Sequence, residues 1–452
     1  MRVSRIAEGE GIPAVAIVST GFLGQARLMA KALGVEHAAI VEYPGVIPMD
    51  TPEILAGKVS SSILPDVLTA LAVAAAPTTE SAVAPTAEPG PTSVVMRGSL
   101  DDVIEHFHEQ QWTDGLPIVP PTPSRVDAFL DMVDRDADEV LGVLAPEMRR
   151  ATVRSAAVNG VMAGCRPEYM PLLVAAVEAI ADPAFRIQDA GSTPGWEPLV
   201  VLSGPMVERL GFYSKGGLMR VGRRPNASVG RFMRLYMRNV AGFRPGGTDK
   251  GSIGYTFNVA MAEDDAATAA LGWQPFRADQ GFSAADDVVT VQSVVAISPP
   301  VYSGGADPVG LCEPLLHYFA GTAGAWAFTG VWYGHYHPLI LMSPAVAGAF
   351  AAAGWGKPEI RRHLFDNLRI EARWLEHYPY HVAGQDVPLA DLVARGVADP
   401  RYAESDDPQR LVPLLLREEW TNIVVAGDPG RNQSRIYINN HEQGPPISKR
   451  VR

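Results

Sequence analysis

Cysteine is scarce in this chain: two residues, Cys165 and Cys312, in 452. So few thiols make neither a disulfide framework nor a thiolate metal cage, which fits a reducing, cytoplasmic setting. Basic charge is also short, with 38 Lys and Arg against 50 Asp and Glu, a net charge of −12. A nucleic-acid partner or a polybasic membrane surface is therefore not expected, because phosphate backbones and anionic lipids demand a Lys/Arg-rich face. Met1 to Gly11 carries charge where the apolar segment of a signal peptide would lie. No run of eighteen apolar residues occurs, so the sequence predicts no membrane span. Gly-x-Ser-x-Gly and His-Glu-x-x-His are both missing, leaving serine hydrolase and zincin chemistry without a motif.

What remains is an ordinary globular composition, 47% hydrophobic and 19% charged, long enough for two or three domains. Leu71 to Val95 is rich in Ala, Pro, Thr and Val without amphipathic period, and reads as a linker. The expected division is an N-terminal unit over 1–66, a linker over 67–97 and a large body over 98–452. Ile12 to Ser19 is a nearly continuous apolar run, as suits a strand buried on both faces. Helical spacing follows over Gly21 to Leu33, then a strand at Ala38 to Glu42 and a helix at Thr51 to Val59 with Pro52 in its first turn. The fold class predicted is α/β: a partial parallel β-α-β-α unit, then a large mixed α+β domain. Two parallel strands and two helices cannot bury both faces of a sheet, so this unit is expected either to borrow strands from another chain or another part of this one, or simply to dock on the body.

In the body, Ser99 with Asp102 reads as an N-cap opening a helix to about Gln111. Helices are predicted over Met148–Ala163, Pro167–Ala181, Asn226–Val240 (capped by Asn226), Cys312–Phe319, Pro344–Ala353 and Lys357–Leu375. Strands are predicted at Leu199–Ser203, Phe257–Ala262, Val288–Ile297, Leu339–Met342 and Asn422–Ala426.

Several segments carry groups suited to chemistry. Thr113 and Asp114 lie on the stiff Pro-rich stretch Trp112–Thr122, which is either a presenting loop or a rigid connector. Cys165 and Arg166 sit between a helix ended by Gly164 and one opened by Pro167. A helix N-terminus and a guanidinium would both lower the thiol pKa, although a free cysteine is commonly just a small buried hydrophobe. Lys215 to Arg231 brings glycines and arginines to a helix N-terminus, a ready anion site; it fits neither a Walker loop nor a dinucleotide fingerprint. Gly246–Gly254 and Gly427–Ser434 are two further Gly-rich loops. The second follows a strand, at the carboxyl edge where α/β sheets bind ligands. His106 and His108 point apart on a helix, whereas His335 and His337 would share a strand face, with no third ligand evident.

The residues Gly11–Phe22 (GIPAVAIVSTGF), with the later Tyr43-Pro44-Gly45, resemble the later half of the bacterial UGSC (seleno)protein family. More distantly, they are similar to the selenoprotein B components of glycine and proline reductases. In the body, Thr113–Thr122, Asn159–Pro171, Arg224–Arg231, Ala351–Phe365 and Val424–Ser434 resemble the companion region of such proteins. The resemblance implies a Cys or Sec followed by Gly-Ser-Cys just before Ile6, a motif this sequence does not carry. A separate chain or an upstream segment is therefore the expected bearer of that thiol or selenol.

The leading expectation is a subunit or C-terminal portion of a thiol- or selenol-dependent enzyme, a reductase in type, acting on a small polar, anionic metabolite within an oligomer. Cys165, Asp114 and Glu168 are the candidate catalytic groups. Thr113, Asn159, Arg166, Arg224, Asn226, Arg231, Gly427, Gly430, Arg431, Asn432 and Ser434 are the candidate substrate-binding groups; no metal ligand is assigned, and no cofactor can be named. The rivals are a lyase or hydrolase whose site lies wholly in 98–452, and a non-catalytic ligand-binding or scaffold subunit.

Overall fold

The computed structural model describes every residue except 1, 33, 36–37, 75–89, 191–194, 250, 252–253 and 255–256. It is an α/β protein. In the N-terminal unit, β1 (Val15–Ser19) and β2 (Ala39–Tyr43) pair in parallel, Val15 opposite Ala39 and Ser19 opposite Tyr43. A helix over Leu23–Ala32 links them. Another over Pro52–Lys58, N-capped by Thr51, runs through a wide turn at Val59–Ile63 into a helix over Leu64–Ala74. The expected linker therefore starts in helix, and its middle lies outside the described residues.

The helical run over 52–74 packs on the sheet face that carries Val41 and Tyr43. Ile63 packs with Val41 and Tyr43, and Leu55, Val67 and Ala70 lie against them. On the other side of the same helical run, Ile54, Leu64 and Leu68 are exposed, as is Ile17 of β1. Leaving large apolar side chains 48 to 59% exposed forfeits the burial that normally holds such elements together. The run Pro52–Ala72 is also long and apolar enough to cross a membrane by length and composition, with 6% of it buried. The run is not continuously apolar, because Glu53, Lys58, Ser60, Ser61, Ser62, Asp66 and Thr69 break it while the mean hydropathy stays high.

The body is built on an eight-stranded mixed sheet. Its strands are β5 (Glu197–Ser203), β6 (Met261–Ala262), β7 (Val288–Ile297), β8 (Val301–Tyr302), β9 (Leu339–Met342), β12 (Asn422–Val425), β13 (Gln433–Asn439) and β14 (Ile447–Arg450). Two small antiparallel pairs stand apart: β3 (Val140–Leu144) with β4 (Arg149–Thr152), and β10 (Arg369–Glu371) with β11 (Leu411–Pro413). The main path runs β12-β9-β13-β7-β5-β6; β8 pairs with β13 and β14 with β7. Only β12 with β9 and β5 with β6 are parallel.

Alternation along the strands sorts the core into layers. Val200 and Leu202 of β5, with Val289 and Val291 of β7, pack against helices over Val153–Ala163, Met170–Ala181 and Arg224–Tyr236. Ile340 and Met342 of β9, Ile423 and Val425 of β12, and Ile436 and Ile438 of β13 pack against helices over Pro308–Ala323, Pro344–Ala352 and Lys357–Asn367. The opposite set, Leu199, Val201, Leu341, Val424 and Tyr437, lies under the segment carrying Leu218 and Tyr213. Gly230 lets the Arg224–Tyr236 helix cross the 258–259 backbone: a Cβ there would stand 2.2 Å from the Val259 nitrogen.

Four expectations need correction. The strand predicted over Phe257–Ala262 is one only at Met261–Ala262, because Asn226 takes both backbone groups of Ala260. Met148–Ala163 is a strand, β4, followed by a helix that Thr152 caps with Ser155. Lys357–Leu375 is interrupted by β10, and a new helix spans Ala372–Ala383. Asn226 is not a cap: the helix starts at Arg224 after Arg223, with proline in its first turn, and Asn226 lies buried within it.

Candidate functional site

The first group of expected residues forms a structural mesh. Arg231 grips Asp114 with a two-pronged fork, Nε to Oδ2 at 2.9 Å and a terminal nitrogen to Oδ1 at 2.8 Å. The same terminal nitrogen donates to the carbonyls of Leu116 and Pro117. Burial raises the Asp114 pKa, but the Arg231 bonds and charge outweigh it and hold the carboxyl below its ordinary value. A carboxylate so engaged is a poor proton acceptor. Thr113, also buried, bonds His108 at 2.8 Å and accepts from the Gly115 N–H, pinning the turn. Asn159 donates to the Ser155 carbonyl and accepts from Asn239, which in turn holds the Trp112 carbonyl. Asn226 spends its amide on Tyr213 N–H, Tyr213 C=O and Ala260 C=O at 2.9 to 3.0 Å.

Cys165 departs from expectation in the direction that matters. It is buried in the helical core, and desolvation pushes its thiol up to about 12 despite a hydrogen bond with Ser228 and the charge of Arg224. The helix-junction argument fails because the residue points into apolar packing, where a thiolate has no solvation. Arg224 donates to the Gly164 carbonyl from two nitrogens at 3.2 Å, while Arg166 and Glu168 are both exposed. Cys312 is buried too, and its thiol is likewise raised to about 12.

The second group does converge. The Gly427 N–H donates to the Ser214 carbonyl, which draws the loop after β12 against Lys215-Gly216-Gly217. Together Tyr213, Lys215, Asp428, Arg431 and Gln433 line a polar cleft of about 540 Å³. Lys215 is fixed by buried Asp264 at 2.7 Å, and the Gly430 N–H donates to Asp428. Asn432 is turned away to the Ser303 carbonyl, and Ser434 is buried on β13. Of the Gly246–Gly254 loop, Lys250, Ser252 and Ile253 lie outside the described residues.

The cleft that sequence reading missed lies between the N-terminal unit and the body. Its volume is about 440 Å³. One wall is Val18 at the carboxyl end of β1, with Phe22 of the short turn after it and Gln25, Ala26 and Met29, one face of the helix that follows. The facing wall is Arg186, Asp189, Tyr333 and Glu442 of the body. Arg186 and Asp189 pair at 2.9 Å. Burial, with the nearby Asp189 charge, raises the Glu442 pKa, and burial with Glu442 raises that of Tyr333. A carboxyl of elevated pKa beside a phenol and a guanidinium in a cleft is a combination suited to holding an anion and moving a proton. No local motif announces it, because its parts come from three distant stretches of chain.

The β1–β2 edge beside this cleft is knit by hydrogen bonds. Thr20 Oγ1 donates to the Tyr43 carbonyl and accepts from Gly45 N–H, both at 3.2 Å. The Tyr43 hydroxyl donates to Asp50, and Lys58 bonds Asp50 at 2.5 Å and the Pro44 carbonyl at 2.8 Å. The unit meets the body where Ile47–Met49 packs on the Ala372–Ala383 helix and Gln25 donates to the Thr248 carbonyl at 3.2 Å.

His335 and His337 do share a face, with ring centres 6.2 Å apart against Trp420. Burial lowers both, His337 to about 3. Among the described residues, no three His, Cys, Asp or Glu side chains gather as a metal site.

No curated protein and no solved structure matches this chain. Residues 6–73, the stretch holding β1, β2 and the helices that pack on them, match the model of the UGSC family.

Proposed function

We propose that the chain is part of a thiol- or selenol-dependent enzyme acting on a small anionic metabolite, with its reaction centre in the cleft between the UGSC unit and the body. The cleft itself carries this reading. It lies at the carboxyl end of a parallel strand, the usual ligand position in α/β sheets, and the body presents Arg186 and Glu442 to it. Arg186 orients the anion, and Glu442, kept protonated to higher pH than an ordinary carboxyl, serves as the proton donor.

The nucleophile comes from another polypeptide or segment. Both cysteines of this chain are buried with raised thiol pKa values, and only the ionised form attacks. The two-stranded β1–β2 sheet, with Ile17 and Leu68 exposed, is where that polypeptide docks, adding strands and bringing its thiol or selenol to the cleft. The test is to co-express the chain with the reading frames flanking its gene, purify the complex and measure turnover of small carboxylic and other anionic metabolites. Iodoacetamide should abolish turnover, and Glu442→Gln should lower kcat at least tenfold. Full turnover after thiol blocking, or turnover by residues 98–452 alone, would overturn the proposal and favour a site wholly within the body.

A further inference from the structure

The Arg224–Tyr236 helix and the turn after it carry a stripe of arginines at 231, 234 and 238, spaced so that they share one face. Each could be a structural ion pair, and two of them are. Arg231 is locked by Asp114, and Arg234 by Glu197. Arg244, folded back from the next loop, is paired with Glu147. Arg238 is different. Its Nε donates to the Gln111 carbonyl at 2.7 Å, and no carboxylate bonds to it among the described residues.

Arg238 lines a separate cavity of about 90 Å³, whose apolar walls are Trp196, Met237 and Phe243. The Trp196 and Phe243 rings meet edge to face at 5.4 Å, which makes the wall rigid. Burial and the neighbouring Arg244 and Arg234 charges lower the Arg238 pKa against a smaller opposing pull from Asp114, the signature of a guanidinium in positive surroundings. Three carboxylates also border the cavity, but two are already engaged by Arg231 and Arg234. The third, Asp249, accepts the Gly251 N–H and bears on Glu197 rather than on Arg238. A half-buried cation left without a bonded counter-ion is costly, and a planar fork with free N–H groups matches a carboxylate. The volume equals roughly three liquid waters, room for an acid of about two or three carbons.

We infer that this cavity is a binding site for a small carboxylate, held by the Arg238 guanidinium against the wall that the Trp196 and Phe243 rings form. The inference is independent of the interdomain cleft, since it concerns binding within the body and not turnover.

Titration calorimetry on the full chain with acetate, and with acetamide as the uncharged isostere, tests it. Acetate should bind saturably with a dissociation constant in the millimolar range or below, and acetamide at least tenfold more weakly. Arg238→Gln should weaken acetate at least tenfold. Arg238→Lys, which keeps the charge but loses the fork, should weaken it by a smaller factor. Should Arg238→Gln unfold the chain, the acetate–acetamide difference in the unaltered protein and the Arg238→Lys result still decide. Equal binding of acetate and acetamide, unsaturable uptake, or acetate affinity indifferent to both substitutions would overturn the inference.

Discussion

Alkylation of the native chain is the sharpest check on whether either of its own cysteines can act as a nucleophile. Cys165 and Cys312 each have a thiol raised from 9.0 to about 12, chiefly by burial. Three units cut the thiolate population at pH 8 by about 10³. A more basic thiolate is intrinsically a better nucleophile, and a Brønsted slope of 0.4–0.5 returns a factor of about 20 over the same interval. The population effect wins, leaving each cysteine roughly 50-fold slower than an ordinary thiol before access is considered. Both side chains are almost fully enclosed, so the observed rate should be lower still and governed by local opening. The assay is iodoacetamide at pH 8, with the Cys165 and Cys312 peptides followed by mass spectrometry and the urea-unfolded chain as reference. Native rates at least 50-fold below the unfolded ones are expected. If Cys165 were modified within tenfold of its unfolded rate, its pocket would be open and ionising, and the chain could supply its own nucleophile.

Two further outcomes follow from the body. Arg231→Met and Asp114→Asn should each cost about 3 kcal/mol, the low end for breaking a buried pair because Arg231 is partly exposed; urea denaturation should show a double-mutant cycle that is non-additive by more than about 1 kcal/mol, and simple additivity would mean the fork carries no coupling. Glu263, fully buried beside Ser203 and the Phe276 N–H, has its carboxyl pushed up to about 7 by desolvation. Because its folded value lies above the unfolded 4.5, its contribution is fully present below about pH 4.5 and is lost as pH rises through 7, about 3 kcal/mol in all. Glu263→Gln should remove that part of the slope between pH 4.5 and 8 in urea midpoints; an unchanged slope would place the titration elsewhere.

Much of the scaffold was legible because continuous apolar runs of strand length can hide only inside a sheet. Val288–Ile297 and Leu339–Met342 are read at the bounds they have, and the Asn422–Ala426 strand is one residue too long. Strands β13 and β14 escaped because Gln433, Arg435, Ser448 and Lys449 interrupt any apolar pattern; they are strands through their pairing with β9 and β7. The site residues divided similarly. The Lys215 and Arg431 loops were recognisable because glycine with basic residues after a strand has a local meaning. Asn226 was misread because cap preference is a statement about neighbours in sequence, while three backbone groups from Tyr213 and Ala260 compete for the same amide. Arg186 and Glu442 have no local signature at all. Only the fold brings the 186–189 turn, Tyr333 and the residue after His441 to one wall.

The position of β14 also governs how the protein can be assembled. Residues 447–450 fill the place beside the first half of β7, with Lys449 bonded to Asp182 and Arg450 to Asp286. Until residue 450 has left the ribosome, the amino-terminal part of that central strand has an open edge, and its Val289 and Val291 lack part of their cover. The body must then finish folding after synthesis of that segment, and a premature stop before 447 would leave an adhesive sheet margin rather than a slightly shortened protein.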